Sequence, residues 1–145
     1  MIISNDSKIS QDQLLAGIFE LLEAVYGQSP WSKEQLLADY QQPNTLYFWL
    51  SKGEQVIGFL ALQDLLGEME LTHIALLPSH QGQGLSKQLM ASLASLSVPI
   101  FLEVRQSNQK AQALYQQFGF VPVGCRKHYY HDPIEDAILM KRKGR

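Results

Sequence analysis

The chain carries one cysteine, Cys125, which excludes an internal disulfide and any paired-cysteine metal site. Packing within a strand is the expected role of its thiol, ahead of nucleophilic chemistry. His73, His80, His128 and His131 fall at no ligand spacing and no H-E-x-x-H occurs, so no metal is expected. The chain also lacks an apolar run of about 18 residues, a signal-peptide pattern and an internal repeat. Neither secretion nor membrane insertion is expected, and the cytoplasm is the expected compartment. Basic charge is scarce in residues 1–100, where four Lys/Arg face ten Asp/Glu; residues 101–145 carry eight against four. An acidic first part suits a basic partner. The terminal Lys141-Arg142-Lys143-Gly144-Arg145 has no interleaved aromatics and reads as a solvated end, so direct nucleic-acid binding is not expected. What is present, 145 residues of which 46% are hydrophobic, suits a single domain over residues 1–145 with a real core.

Periodicity and caps mark mixed α and β elements. Met1 to Ser4 reads as a short edge strand. Ser10 with Gln13 is a capping-box pattern ahead of Leu14, Ile18, Leu21, Leu22 and Val25 at helical spacing, and Ser32 with Gln35 opens a shorter helix toward Tyr40. Thr45 to Leu50 and Gln55 to Leu65 read as strands joined by a Lys52-Gly53-Glu54 turn, and Gly67 precedes the next strand. A helix over 84–97 stopped by Pro99, a strand from Ile100 to Val104 and an Asn108-capped helix ending at Gly119 follow. Phe120 to Arg126 and Ala137 to Lys141 close the chain as strands. This order predicts an α+β or α/β sheet with helices on both faces.

The richest segment is Leu76 to Met90, where an apolar strand runs through Gln81-Gly82-Gln83-Gly84-Leu85-Ser86 into an amphipathic helix. N–H groups at a helix start lack intrahelical acceptors and lie at the positive end of the dipole, so they can surround a diphosphate. Gly82 and Gly84 let the backbone approach closely. No G-x-x-x-x-G-K-[ST] and no G-x-G-x-x-G is present, which removes two other phosphate loops. Q-x-x-G-x-S remains, and any glycine-rich helix entry could also look like it.

A second block runs from Phe101 through Glu103 and Asn108 to Tyr115 and Phe120. Alternation puts Glu103 on the strand face opposite Leu102 and Val104. Taken alone, Glu103 is equally a strand-end residue reaching water or pairing with Arg105. Asn108 and Tyr115 are about two helical turns apart, on one helix face. Simple capping and core packing would account for each singly.

The hexapeptide resembles the pyrophosphate loop of the GNAT N-acetyltransferases, [QR]-x-x-G-x-[GA], through Gln81 and Gly84. LEVRxSNxxAxxLYxxFGF, from Leu102 to Phe120, resembles more narrowly the bacterial ribosomal-protein-alanine N-acetyltransferases, as do Pro30-Trp31-Ser32, Ile74-Ala75-Leu76, Tyr129-Tyr130 and Glu135-Asp136-Ala137. Gly82, Ser86 and His128 stand where these enzymes often carry Arg, Gly and Asn. The resemblance implies the GNAT acyl-CoA N-acyltransferase fold: a central, mostly antiparallel sheet whose splayed strands admit acetyl-CoA. It implies cofactor contacts from Ile74, Leu76, Gln81, Gly82, Gln83, Gly84, Leu85, Ser86 and Asn108, and acid–base work by Glu103 and Tyr115. Trp31, Tyr129 and Tyr130 would border the acceptor, although an extended strand would turn at most one of the two tyrosines toward it, and Trp31 could simply cover the core.

The implied acceptor is a protein N-terminus, that of a basic ribosomal protein with N-terminal Ala. An α-amine near pKa 7.7–8.0 needs roughly 3.4 kcal/mol less work to deprotonate than a lysine near 10.4. A carboxylate of ordinary pKa, about 4.3, is still too weak a base without burial or a water relay. A phenol near about 10 is a weaker acid than a thiol near about 8.5, so Tyr115 would act chiefly by hydrogen bonding the leaving sulfur. A GNAT enzyme acting on a small amine or on lysine is the nearer alternative, and a non-catalytic acyl-CoA-binding module the more distant one, disfavoured by Glu103 and Tyr115 together. A monomer or weak dimer is expected.

Overall fold

The computed structural model describes residues 2–3 and 9–145. Of the strand expected over Met1 to Ser4, β1 (Ile2–Ile3) is present on the sheet edge, while Met1 and Ser4 lie outside the described residues. Both capping boxes form. Ser10 Oγ accepts from Gln13 N–H at 3.2 Å and Gln13 Oε1 accepts from Ser10 N–H at 3.0 Å, opening α1 (Gln11–Tyr26). The same reciprocal pair, Ser32 with Gln35, opens α2 (Lys33–Gln41). Each satisfies two otherwise orphaned donors. A hairpin of β2 (Thr45–Lys52) and β3 (Gln55–Asp64) leads through the Gly67 turn to β4 (Met69–Leu76). There follow α3 (Leu85–Ala91), β5 (Ile100–Arg105), α4 (Gln109–Gln117), β6 (Val121–Tyr130) and β7 (Glu135–Arg142).

The sheet order is β1-β2-β3-β4-β5-β7-β6. Every neighbouring pair is antiparallel except β4 with β5. Helices cover both faces, as expected. Leu14, Ile18 and Leu22 of α1 pack with Leu36 of α2 on Tyr47, Trp49 and Phe59, while Leu85 and Leu89 of α3 and Tyr115 of α4 pack on Leu60, Leu62, Leu102 and Phe120. On β5 the two layers alternate: Ile100, Leu102 and Val104 are buried toward α3 and α4, and Phe101, Glu103 and Arg105 take the other face.

Three expectations are corrected. The helix over 84–97 ends at Ala91 and continues only as a 3₁₀ turn, Ser92–Ser95. Ser92 and Ser95 hydroxyls donate to Gln88 and Ser92 carbonyls, offering the backbone an alternative to the helix. Arg142 completes the break. Its guanidinium donates to the carbonyls of Leu93, Leu96 and Val98 at 2.7–3.0 Å, satisfying carbonyls of the segment that follows the helix. Arg142 is therefore only 3% exposed, and the tail is anchored rather than solvated, with Arg145 N–H donating to Ser97 C=O and Lys141 paired to Glu68. Cys125, expected to pack, is exposed, because β6 is an edge strand whose outer face no element covers among the described residues.

Arg142→Met, which keeps the length and removes the donors, should destabilise the fold by about 2–3 kcal/mol, since buried carbonyls left unsatisfied cost about 1–3 kcal/mol. Urea unfolding with an unchanged m-value is the measurement. An unshifted midpoint would contradict this role for the guanidinium.

Candidate active site

The parallel pairing of β4 with β5 lasts two residues, Met69↔Ile100 and Glu70↔Phe101; beyond them the strands part. On its other edge β4 stays paired to β3, and the Leu77 N–H bond to Ile57 C=O sets the phase of that ladder. Antiparallel alternation then turns the main-chain groups of His73 and Ala75 toward β3 and those of Ile74 and Leu76 toward the gap. The extra residue Thr72, bulged between the Ala61↔His73 and Leu62↔Leu71 pairs, shifts the side-chain phase. After it, Ile74 and Leu76 join Leu71 in the α3/α4 layer, and Ala75 joins the α1/α2 layer.

On the α3/α4 side the gap opens into a cleft of about 520 Å³. Ile74, Leu76, Gln81, Gly82, Gly84, Leu85, Ser86, Asn108 and Tyr115 all line it, so nine of the residues singled out in the sequence converge there. Gln83 is exposed and is not among the lining residues. Gln81 Nε2 donates to Leu76 C=O at 3.3 Å, tying the turn to the strand end. Gly82 and Gly84 have φ of +80° and +77°, and nothing lies within 4 Å of where a Cβ would stand. The turn requires glycine for its left-handed backbone and not for lack of room. Leu85 is itself core, so only its main chain can meet a ligand. Asn108 Oδ1 caps α4 by accepting from Ala111 N–H at 3.1 Å, which leaves the amide nitrogen as what the side chain offers the cleft. Tyr115 is 7% exposed, and burial, with Tyr26 and Tyr130 nearby, pushes its phenol up to about 12.

Lys87 and Lys110 also line the cleft, and sequence reasoning missed them. Each lies in the first turn of a helix, where the dipole disfavours cations. That mismatch was the available signal.

Glu103 lies on the opposite face, its side chain 10% exposed, with Oε1 at 3.6 Å from Arg126 Nε. Oε2 is buried with no hydrogen-bond partner. The alternative pairing with Arg105 does not form. Arg105 instead bonds Glu135 at 3.3 Å and the carbonyls of His131 and Pro133, and its guanidinium lies 4.4 Å from the Tyr130 ring centroid. Glu135 also accepts from Ser107 N–H at 2.6 Å, so the β6–β7 turn is strapped to the β5–α4 turn. These bonds hold the Glu135 carboxyl below its usual range.

Strict alternation at Tyr129-Tyr130 does not hold either. His128 has φ of +52°, and its N–H donates at 2.9 Å to Asp136, which also binds Lys127. The ladder therefore slips between Arg126 and Tyr130, and the two rings meet edge to face at 5.1 Å. Burial, then Glu103, raises both phenols, Tyr130 to about 12. The charge of Glu103 acts on Tyr130, and Tyr130 in turn acts on Tyr115. Trp31, in the α1–α2 turn, packs against His73 at 4.1 Å between centroids. His73 is a half-buried residue of β4: burial holds its pKa below the usual value, and its Nδ1 has no partner.

A mixed sheet opened between two strands, with a glycine turn and a helix start at one end of the gap, defines the class of acyl-CoA-dependent N-acyltransferases. Residues 15–120 match the acetyltransferase (GNAT) family model. A [ribosomal protein bS18]-alanine N-acetyltransferase of Haemophilus influenzae is 37% identical over 139 residues, 88% of this chain and 94% of that one. The crystal structure of the ribosomal-protein-S18-alanine N-acetyltransferase from Escherichia coli superposes with a TM-score of 0.82 at 31% identity, covering 97% of this chain and 92% of that one. An aminoglycoside 6′-N-acetyltransferase complexed with coenzyme A shares the fold alone, with a TM-score of 0.77 at 16% identity over 98% and 96% of the two chains. This chain belongs to the GNAT acetyltransferase family. Among the described residues no helix is long and apolar enough to cross a membrane.

Proposed function

We propose that this protein transfers an acetyl group from acetyl-CoA to the N-terminal α-amine of a protein, with the N-terminal Ala of a basic ribosomal protein as acceptor. One observation carries the reading: at the parted strands a cleft holding Tyr115 backs onto a face where the Glu103 carboxylate is buried with an oxygen unpartnered. The relatives' acceptor, the N-terminus of a ribosomal protein, supports the substrate class. Such an acceptor would be met in the cytoplasm, and residues 1–145 would act as one acetyltransferase domain, monomeric or weakly dimeric.

The cleft suits the cofactor. Main-chain groups of Ile74 and Leu76 face the gap as an open strand edge that an amide-bearing arm could pair with, and the turn from Gln81 to Ser86 presents helix-start donors, Gln83 through its backbone only. Lys87 and Lys110 add positive charge for phosphates. Asn108 would donate its amide to the same arm. Acetyl-CoA supplies an activated acyl carbonyl. Glu103 takes the proton from the acceptor amine, Tyr115 donates a hydrogen bond toward the departing sulfur, and Trp31, Tyr129 and Tyr130 bound the acceptor.

Intact-mass detection of one added acetyl group is the test. A basic peptide with a free N-terminal Ala should be acetylated faster than an acidic one, with the gap narrowing as salt rises, because such attraction is screened over about 8 Å at physiological ionic strength. Blocking the α-amine should abolish the reaction while lysines remain. Acetylation of the blocked peptide, or a small amine outcompeting every peptide, would refute the N-terminal assignment.

A further inference from the structure

The last paired residues of β4 and β5 place a second carboxylate at the fork. Glu70 is in register with Phe101, so it shares a face with Phe101 and Glu103 and not with Ile100 and Leu102. Glu70 is partly buried, one strand over from Glu103 at the point where the gap begins. The two interact: burial and then the Glu103 charge raise the Glu70 pKa, and Arg126 opposes this. Arg126 is thus the cation that serves both carboxylates, through its Nε contact with Glu103 Oε1. Tyr129 and Tyr130 face Glu103 from β6, and Arg105 is occupied by Glu135 and the Tyr130 ring.

Charge arithmetic gives the arrangement its meaning. Glu103 with Arg126 is neutral overall and offers an arriving ammonium no net attraction. Glu70 leaves one uncompensated negative charge, and Glu103 Oε2 leaves one buried acceptor without a donor. An ammonium supplies both the charge and the donor.

We propose that Glu70 is a second carboxylate of the acceptor-amine seat, holding the ammonium with Glu103 before transfer; the proposal rests on the N-acetyltransferase reading above. The ammonium gives one proton to Glu103 while Glu70 keeps the seat anionic. The amine lone pair then forms the C–N bond to the acetyl carbonyl and the C–S bond breaks. The nitrogen loses a second proton, and the thiolate leaves to be protonated. Of the two protons released, one ends on the CoA thiol and one in solvent.

Glu70→Gln tests this with the CoA-bound protein and two probes, a basic peptide with a free N-terminal Ala and the same peptide already Nα-acetylated. Calorimetry should show the free peptide weakened about tenfold or more and the acetylated one unchanged, because only the first carries the charge that Glu70 holds. In turnover, the acceptor KM should rise by the same factor with little change in kcat, and Glu70→Asp should recover part of the loss. The raised pKa supplies a control. A carboxyl whose folded pKa is raised costs the fold nothing at low pH and destabilises it once ionised, so Glu70→Gln should unfold at neutral pH no earlier than the parent. Equal weakening of both peptides, an unchanged KM, or a lowered unfolding midpoint would overturn the proposal. If Glu103→Gln transfers at the parent rate, it is the base role of Glu103 that fails, and the role of Glu70 is still read from its own KM; if the parent protein acetylates neither peptides nor amines, it is the acetyltransferase reading that fails.

Discussion

Glu103→Gln is expected to slow acetyl transfer by about 10²–10⁴ while leaving acetyl-CoA affinity near its parent value. The amide keeps the shape of the carboxyl and removes its ability to take a proton, and Glu103 does not line the cleft that would hold the cofactor. Tyr115→Phe is the companion and separates two roles for the phenol. Buried to 7% exposure and pushed up to about 12, Tyr115 would give its proton to a thiolate of conjugate pKa about 8.5 only at a cost of roughly 5 kcal/mol. A hydrogen bond held through the transition state avoids that cost. The expected loss is therefore that of one preorganised donor, about 10²–10³ in kcat. Single-turnover kinetics at saturating acetyl-CoA measure both, and near-parent rates in both variants would return Glu103 and Tyr115 to purely structural roles.

Gly84→Val should weaken acetyl-CoA by about 10² or more. Gly84 is the N-cap of α3 with φ of +77°, and valine resists that region by more than the roughly 1–2 kcal/mol of an ordinary residue. Relaxing the strain swings the Gly82–Ser86 donors out of line, and each hydrogen bond lost to a charged group forfeits about 1.5–3 kcal/mol. The site around Gly84 is open, so the disturbance stays local and the fold survives. Gly84→Ala, with no branch to block a phosphate and less backbone strain, should fall between valine and the parent. Calorimetry on the folded variants checks the series. An unchanged affinity for valine would remove this turn from the cofactor site.

Much of the architecture was legible because its signals are local. Both capping boxes, the Gly53 turn and the Asn108 cap act within a few residues, and each element they mark is present. The cleft side of the site was legible for a related reason: Gln81 to Ser86 is continuous, and Asn108 and Tyr115 share one helix. Errors came where a distant group intervened. The helix after Gly84 stops early, and the segment beyond it is held by Arg142, far along the chain, which takes the carbonyls of Leu93, Leu96 and Val98. The tyrosine pair departs from alternation because Asp136, across a hairpin, holds the His128 bulge.

By itself, then, the sequence determined the elements, the left-handed glycine turn at the cleft and the alternation that sets Glu103 against its apolar neighbours, all properties of a chain over one to four residues. Only the tertiary structure decided that Glu103 pairs with Arg126 and not Arg105, that Lys87 and Lys110 reach the cleft, and that Glu70 stands beside Glu103 at the fork. Those contacts join residues separated by tens of positions. They exist because β4 and β5 pair for only two residues before parting, and the length of a ladder between distant strands is set by how the whole sheet twists and packs.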